Sequence, residues 1–139
     1  MTGIVVVSHS RALAEAVVDL AKGLIPGLEV HTEVAAGMPD GTLGTDATEI
    51  MAAVERADDG DGVLVLADLG SGVLSAQMAL ELLDPELVAR VRLSGGALVE
   101  GLVAAYAAAG TGKDLETVHA DADAAVSLKL RQVAGPPSP

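Results

Sequence analysis

The chain has 139 residues, half of them apolar, and sets eight Lys and Arg against twenty Asp and Glu for a formal charge of -12. That length suits one domain with a single core. The acidity repels phosphate backbones and anionic lipid, and with Tyr106 as the only aromatic residue there is almost nothing on which bases could stack, so nucleic-acid and membrane-surface roles are not expected. The absence of cysteine excludes disulfides, thiolate nucleophiles and Cys-based zinc sites. Met1 leads directly into a strand-like run with no basic start, cleavage site or bilayer-length apolar segment, which makes the cytoplasm the expected location.

Gly3 to Ser10 reads GIVVVSHS, a run of mostly β-branched residues that stops at His9 between two serines. Such runs form buried parallel strands, and ligands of open α/β sheets gather outside the carboxyl ends of those strands. His9 is therefore a candidate site residue, the alternative being a cap or a core hydrogen bond. A first helix follows, with Leu13, Ala16, Val17, Leu20 and Leu24 expected on its buried face and Gly23 able to end it. Leu28 to Val34 alternates apolar and polar residues, as an edge strand would, with His31 pointing to solvent. Ala35 to Asp46 is rich in Gly, Pro, Asp and Thr and reads as a loop, in which Met38 is a packed residue or a partner contact.

Thr45 or Asp46 can cap a second helix running to about Ala57, with Glu49 three residues past Asp46. The acidic turn at Asp58, Asp59 and Asp61 lacks the full spacing of a calcium loop and reads as solvated. Gly62 to Gly70, GVLVLADLG, is a second continuous apolar run, stopping at Asp68. Gly70, Ser71 and Gly72 open a third helix, Val73 to Leu83, closed off by Pro85, and Leu87 to Leu93 reads as a fourth strand. Helices are expected at Ala97 to Ala109 and Leu115 to Leu130, split by the break at Gly110 to Lys113. Glu100, at the start of the first of these, reads as a solvated carboxylate favoured by the helix dipole.

Alternating strands and helices of these lengths demand parallel pairing with right-handed crossovers. The expected fold is α/β: a small doubly wound parallel sheet of about four strands with helices on both faces. It would occupy residues 1-130 as one domain, with 131-139 a disordered tail.

Both apolar runs would point the same way, so His9 and Asp68 can meet if their strands are neighbours. An aspartate bonded to one imidazole nitrogen fixes the tautomer and makes the other nitrogen a better nucleophile. The alternative for Asp68 is a helix cap or a turn. The small residues Gly70, Ser71 and Gly72 at a helix start would leave backbone N–H groups free to bind an anion such as a phosphoryl group. There is no GxxxxGK[ST] phosphate loop and no GxGxxG after the first strand.

With GIVVVSHS at the start, GTD at 44-46, DLGSG at 68-72 and LVEGL at 98-102, the chain resembles the mannose-class enzyme IIA domains of the bacterial phosphotransferase system. Within that class it looks most like the phosphotransfer subunit of phosphoenolpyruvate-dependent dihydroxyacetone kinase, from Gly3 to about Ala125. The resemblance implies a phosphoryl group accepted by His9 from the phosphocarrier protein HPr and passed to ADP on a kinase partner subunit. It makes Asp68 the residue that orients His9, Gly70, Ser71 and Gly72 the loop around the phosphate, and Thr45 part of the loop beside the site. It further implies a homodimer with no cofactor or metal of its own, magnesium belonging with the partner's nucleotide. Gly72 and Ser75 depart from the resemblance, which leads one to expect a bulkier or amide residue there.

The chemistry suits that role, since a phosphohistidine relay needs an exposed imidazole and a few phosphate donors but no deep substrate pocket. Rival readings are a small cobaltochelatase-like enzyme, suggested by His9-Ser10-Arg11 after the first strand but wanting a second strand-end histidine, a mannose-type sugar phosphotransferase or regulatory relative, and a noncatalytic interaction module.

Overall fold

The two continuous apolar runs form the centre of the sheet. In the computed structural model, which describes residues 1-136, β1 (Gly3–Ser8) lies between β2 (Thr32–Ala36) and β3 (Val63–Ala67), and β4 (Val91–Ser94) pairs with β3. All three pairings are parallel, in the order β2-β1-β3-β4. Every residue of β1 and β3 is buried, whereas β2 and β4 at the edges are only partly so. That contrast is what a continuous Val/Leu run and a mixed run respectively support.

The helices are α1 (Arg11–Leu24), α2 (Ala47–Ala57), α3 (Gly70–Leu82), the single turn α4 (Pro85–Val88), α5 (Leu98–Gly110), α6 (Leu115–Ala124) and α7 (Val126–Ala134). Because side chains alternate across a strand, Ile4, Val6, Leu64 and Leu66 pack on one face against Ala14 and Val17 of α1, Leu102 of α5 and Val118 of α6. Val5, Val7, Val63 and Val65 pack on the other against Ile50 and Val54 of α2 and Ala76 and Ala79 of α3. The chain is thus the doubly wound α/β domain that its alternating pattern predicts. Gly3 belongs to this packing: a Cβ there would lie 2.3 Å from the carbonyl oxygen of Ala57, where α2 ends against β1.

Several boundaries depart from the sequence pattern. The edge strand begins at Thr32, not Leu28, because it must align with β1 from Ile4↔Thr32 to Ser8↔Ala36. Ala35 and Ala36, read as loop, are its buried end. Leu28 instead lies before the strand, where its carbonyl accepts the Tyr106 hydroxyl at 2.9 Å. Pro85 does not merely stop α3. With Asp84 capping through Glu86 N–H at 2.9 Å, it opens α4, so the fourth strand starts only at Val91.

α1 also turns a different face inward. Ala14, Val17, Val18 and Ala21 are buried, while Leu13, Leu20 and Leu24 are exposed. Ala14 and Ala21, fully buried, let the helix axis approach the sheet closely. The last helix divides at Ala125 into α6, packed on α5 and β4, and α7, which buries no residue. α7 continues to Ala134, four residues into the segment read as a tail, while 137-139 lie outside the described residues. Among the described residues no helix is long and apolar enough to cross a membrane.

Candidate functional site

From β1 the chain crosses first to β2 on one side, then to β3 on the other, so the order reverses between β1 and β3. Open parallel sheets form a crevice at such a point. Val7 pairs with Ala67, and Asp68 N–H donates to the carbonyl of Val7 at 3.1 Å. His9 and Asp68 are therefore the first residues past the sheet on adjacent strands, and their side chains meet. His9 Nδ1 lies 2.9 Å from Asp68 Oδ1 and 3.2 Å from Oδ2. Ser10 takes no part in the pair; it caps α1, its hydroxyl accepting Leu13 N–H at 3.2 Å.

Asp68 collects further donors. Oδ2 accepts the His9 backbone N–H at 3.0 Å and the Ser8 hydroxyl at 3.0 Å, and Oδ1 accepts Leu69 N–H at 2.7 Å. Burial pushes its pKa up. The bonds from the His9 N–H, the His9 ring, the Ser8 hydroxyl and the Leu69 N–H outweigh that and hold it below the usual carboxylate range. An ionised carboxylate only accepts, so the ring nitrogen that faces it, Nδ1, carries a proton, and the tautomer with Nδ1–H has its lone pair at Nε2. The Ser71 hydroxyl donates to that nitrogen. The His9 side chain keeps 23% of its surface exposed against 8% for Asp68, so the ring is partly open to solvent while its anchor is enclosed.

Opposite Nε2 stands the start of α3. Its N-cap, Leu69, supplies no side-chain bond, and the backbone ladder begins only with Val73 N–H to Leu69 C=O at 3.0 Å. The N–H groups of Gly70, Ser71 and Gly72 have no partner within the helix and lie at the positive end of its dipole, an arrangement that can bind an anion. Gly72 allows this approach: a Cβ there would lie 3.0 Å from Asp68 Oδ1 and 3.6 Å from His9 Cε1. A larger residue at 72 would press first on the Asp68 carboxylate, the contact to the ring being an ordinary one. The Thr45 hydroxyl lies 2.6 Å from that of Ser75, one turn after Ser71 in α3. The same loop is tied to β1's exit by Gly37 N–H to Ser8 C=O at 3.1 Å and Gly44 N–H to His9 C=O at 3.0 Å.

The other candidates lie elsewhere. His31 precedes β2, at the end of the sheet opposite His9, and faces Glu33 at 3.4 Å. His119 faces Asp123 at 3.3 Å on α6. Neither joins His9, and among the described residues no group of three or more His, Asp or Glu could hold a metal ion. Nothing on this edge thus supplies the second histidine that a metal-inserting site wants. Glu100 bonds Lys129 at 3.2 Å. In the acidic turn Asp58 pairs with Arg90 at 2.7 Å, and Asp59 and Asp61 hold the terminal amino group of Met1. Met38 lies against Gly44 inside its loop, partly exposed. Ser8 is the member of the site that sequence reasoning passed over, since a serine at a strand's end carries no signal of which way its hydroxyl points.

Residues 3–119 match the family EIIA-man, described as the PTS system fructose IIA component. The chain belongs to the EIIA-man family. It is 44% identical over 140 residues to the "PEP-dependent dihydroxyacetone kinase, phosphoryl donor subunit DhaM" of Escherichia coli (strain K12), an alignment covering 99% of this chain and 30% of that protein. A second DhaM, "PEP-dependent dihydroxyacetone kinase 2, phosphoryl donor subunit" of Listeria innocua, is 37% identical over 101 residues, covering 73% of this chain and 80% of the other. This chain thus spans about 30% of the length of the Escherichia coli relative. Among solved structures, a protein of unknown function, EF1359, superimposes with a TM-score of 0.81 at 31% identity, covering 89% of this chain and 94% of that one. The phosphotransferase system component EIIA of Streptococcus agalactiae shares the fold, with a TM-score of 0.67 at 17% identity over 96% and 98% of the two chains. His9, Thr45, Asp68 and Gly70 to Gly72 all fall within the matched EIIA-man span.

Proposed function

We propose that this EIIA-man domain is a phosphohistidine relay, in which Nε2 of His9 accepts a phosphoryl group from HPr and passes it to ADP on a dihydroxyacetone kinase partner subunit. One observation carries the reading: Asp68 holds the proton on Nδ1 while Nε2 faces the uncapped start of α3. The DhaM relatives, described as phosphoryl donor subunits, support the choice of acceptor.

In the first step the P–N bond of the donor phosphohistidine breaks as a P–Nε2 bond forms. His9 has no proton to lose at Nε2, and the Nδ1–H stays bonded to Asp68, whose negative charge offsets the positive charge growing on the ring. The Ser71 hydroxyl swings from Nε2 to a phosphoryl oxygen, and the N–H groups of Gly70, Ser71 and Gly72 take up the remaining charge. Thr45, through Ser75, steadies the wall of this cradle. In the second step the P–Nε2 bond breaks and a terminal oxygen of ADP takes the phosphoryl group, returning His9 to its starting tautomer. Both transfers need alignment and charge stabilisation rather than a deep cavity, which suits a partly exposed ring at the sheet's rim.

The relay is proposed to work in the cytoplasm as a homodimer. An apolar groove of about 760 Å³, lined by Leu20, Leu24, Val99, Val103 and Leu128, has Lys113 and Arg131 balancing Glu100 and Asp121. In a chain of net charge -12 the charge balance and apolar lining of this face support a second copy as its occupant.

Incubation with enzyme I, HPr and phosphoenolpyruvate should add one acid-labile phosphate to the wild type and none to His9→Ala with unchanged circular dichroism. Addition of partner subunits, ADP and dihydroxyacetone should then yield dihydroxyacetone phosphate. A wild type that takes up no phosphate, or a His9→Ala variant that still does, overturns the reading.

A further inference from the structure

Ser8 is the last residue of β1, and its side chain is wholly buried. Strand pairing and packing at such a position would be served as well by alanine. A buried hydroxyl instead requires partners, and this one uses both its capacities: it donates to Asp68 Oδ2 at 3.0 Å and accepts the N–H of Ser10, the cap of α1, at 3.1 Å. One oxygen therefore joins the end of β1, the start of α1 and the carboxylate at the end of β3.

Resting on the relay reading above, we infer that Ser8 is a positioning residue for phosphoryl transfer, holding the Asp68 carboxylate in the plane that pins His9 Nδ1–H and aims Nε2 at α3. The geometry leaves few substitutes. Oδ1 is taken by Leu69 N–H at 2.7 Å and by the imidazole at 2.9 Å. On Oδ2 the other contacts, the His9 backbone N–H at 3.0 Å and the His9 ring Nδ1 at 3.2 Å, both come from His9 itself, so once the hydroxyl is gone nothing outside His9 holds that oxygen and the tilt of the carboxylate is set less tightly. The imidazole follows its anchor, and Nε2 then leaves the line between the incoming phosphorus and the N–H groups of Gly70, Ser71 and Gly72. Misplacements of the order of an ångström cost large factors in transfer rate. His9 is the titratable group in contact with Asp68, so no other ionisation supplies the missing restraint.

Being buried, Ser8 touches no docking partner. Its loss should slow the chemical step without weakening encounter. Ser8→Ala is expected to lower kcat for phosphoryl acceptance from HPr by about tenfold, with KM for the donor unchanged. Ser8→Thr, which keeps the hydroxyl, should recover the rate to within about threefold, and Ser8→Cys, a poorer donor of similar size, should behave as Ser8→Ala should that variant fold poorly. The deciding readout is the ¹⁵N spectrum of the His9 ring in the unphosphorylated protein. Wild type and Ser8→Thr should show the Nδ1–H tautomer, and Ser8→Ala a mixture. An unmixed Nδ1–H spectrum in both Ser8→Ala and Ser8→Cys overturns the inference whatever happens to phosphate uptake. Mixed tautomers in a protein whose wild type accepts no phosphate would sink the relay and leave the positioning role standing.

Discussion

Asp68 is surrounded by donors on every side, and this limits what can replace it. An asparagine has one accepting oxygen and one donating amide, so at least one of the Ser8 hydroxyl, His9 N–H, Leu69 N–H or imidazole N–H would face another donor. Asp68→Asn should therefore slow phosphate uptake by about 10²-fold or more, because the ring loses both its tautomer and its counter-charge, and should lower stability by about 1–3 kcal/mol; stopped-time phosphorylation assays and urea melts measure the two. Acid should act through the same kind of group. Arg90 hydrogen-bonds Asp58 and overcomes its burial, and donors overcome the burial of Asp68, leaving both pKa values below the ordinary value of the unfolded chain. A carboxylate lowered on folding stabilises the fold above its unfolded pKa, and that contribution disappears as pH falls through the folded value. Thermal midpoints should thus be level from about pH 7 to 5 and fall below about pH 4. At this scale His9 and Asp68 were visible in the sequence because each ends a continuous apolar run. Ser8 was not, since its role depends on a carboxylate sixty residues away in the chain.

Among the elements, α3 shows most clearly how the fold serves the site. Its first turn packs closely on Asp68, where a Cβ on residue 72 would stand 3.0 Å from Oδ1. Alanine is ordinarily better than glycine in a helix by up to about 1 kcal/mol, so Gly72→Ala should leave the thermal midpoint unchanged or slightly raised. It should nevertheless slow phosphorylation about tenfold, as the methyl group presses on the Asp68 carboxylate that holds the ring; a parallel loss of rate and stability would contradict this account. Helix caps and buried strands followed from local pattern: Asp46 does cap α2, accepting Thr48 N–H at 2.9 Å, and β1 and β3 lie where the apolar runs do. Edges and faces did not. Leu13, Leu20 and Leu24 are the larger apolar residues of α1, yet the sheet admits Ala14 and Ala21 because small side chains permit closer approach. The start of β2 was likewise set by its partner strand and not by its own alternation.

For the molecule as a whole, two apolar layers clamp one sheet and so hold two strand ends in fixed relation. Leu102 lies at the centre of one layer, fully buried with Leu64, Leu66, Tyr106 and Val118. Leu102→Ala should cost about 2–5 kcal/mol in urea unfolding while sparing the phosphorylation rate of the molecules that remain folded, since its layer does not form the walls of the site. The sequence by itself determined the α/β class, the two inner strands, the polar residues at their ends and the small-residue helix start, because hydrophobic period and capping chemistry are local properties. Only the tertiary structure decided that β1 and β3 are neighbours, that Nδ1 rather than Nε2 meets Asp68, that Ser8 completes the group and that α1 turns its alanines inward. Those outcomes depend on pairing and packing between segments far apart in the chain, where the energy of contact, not the preference of any one segment, selects the arrangement.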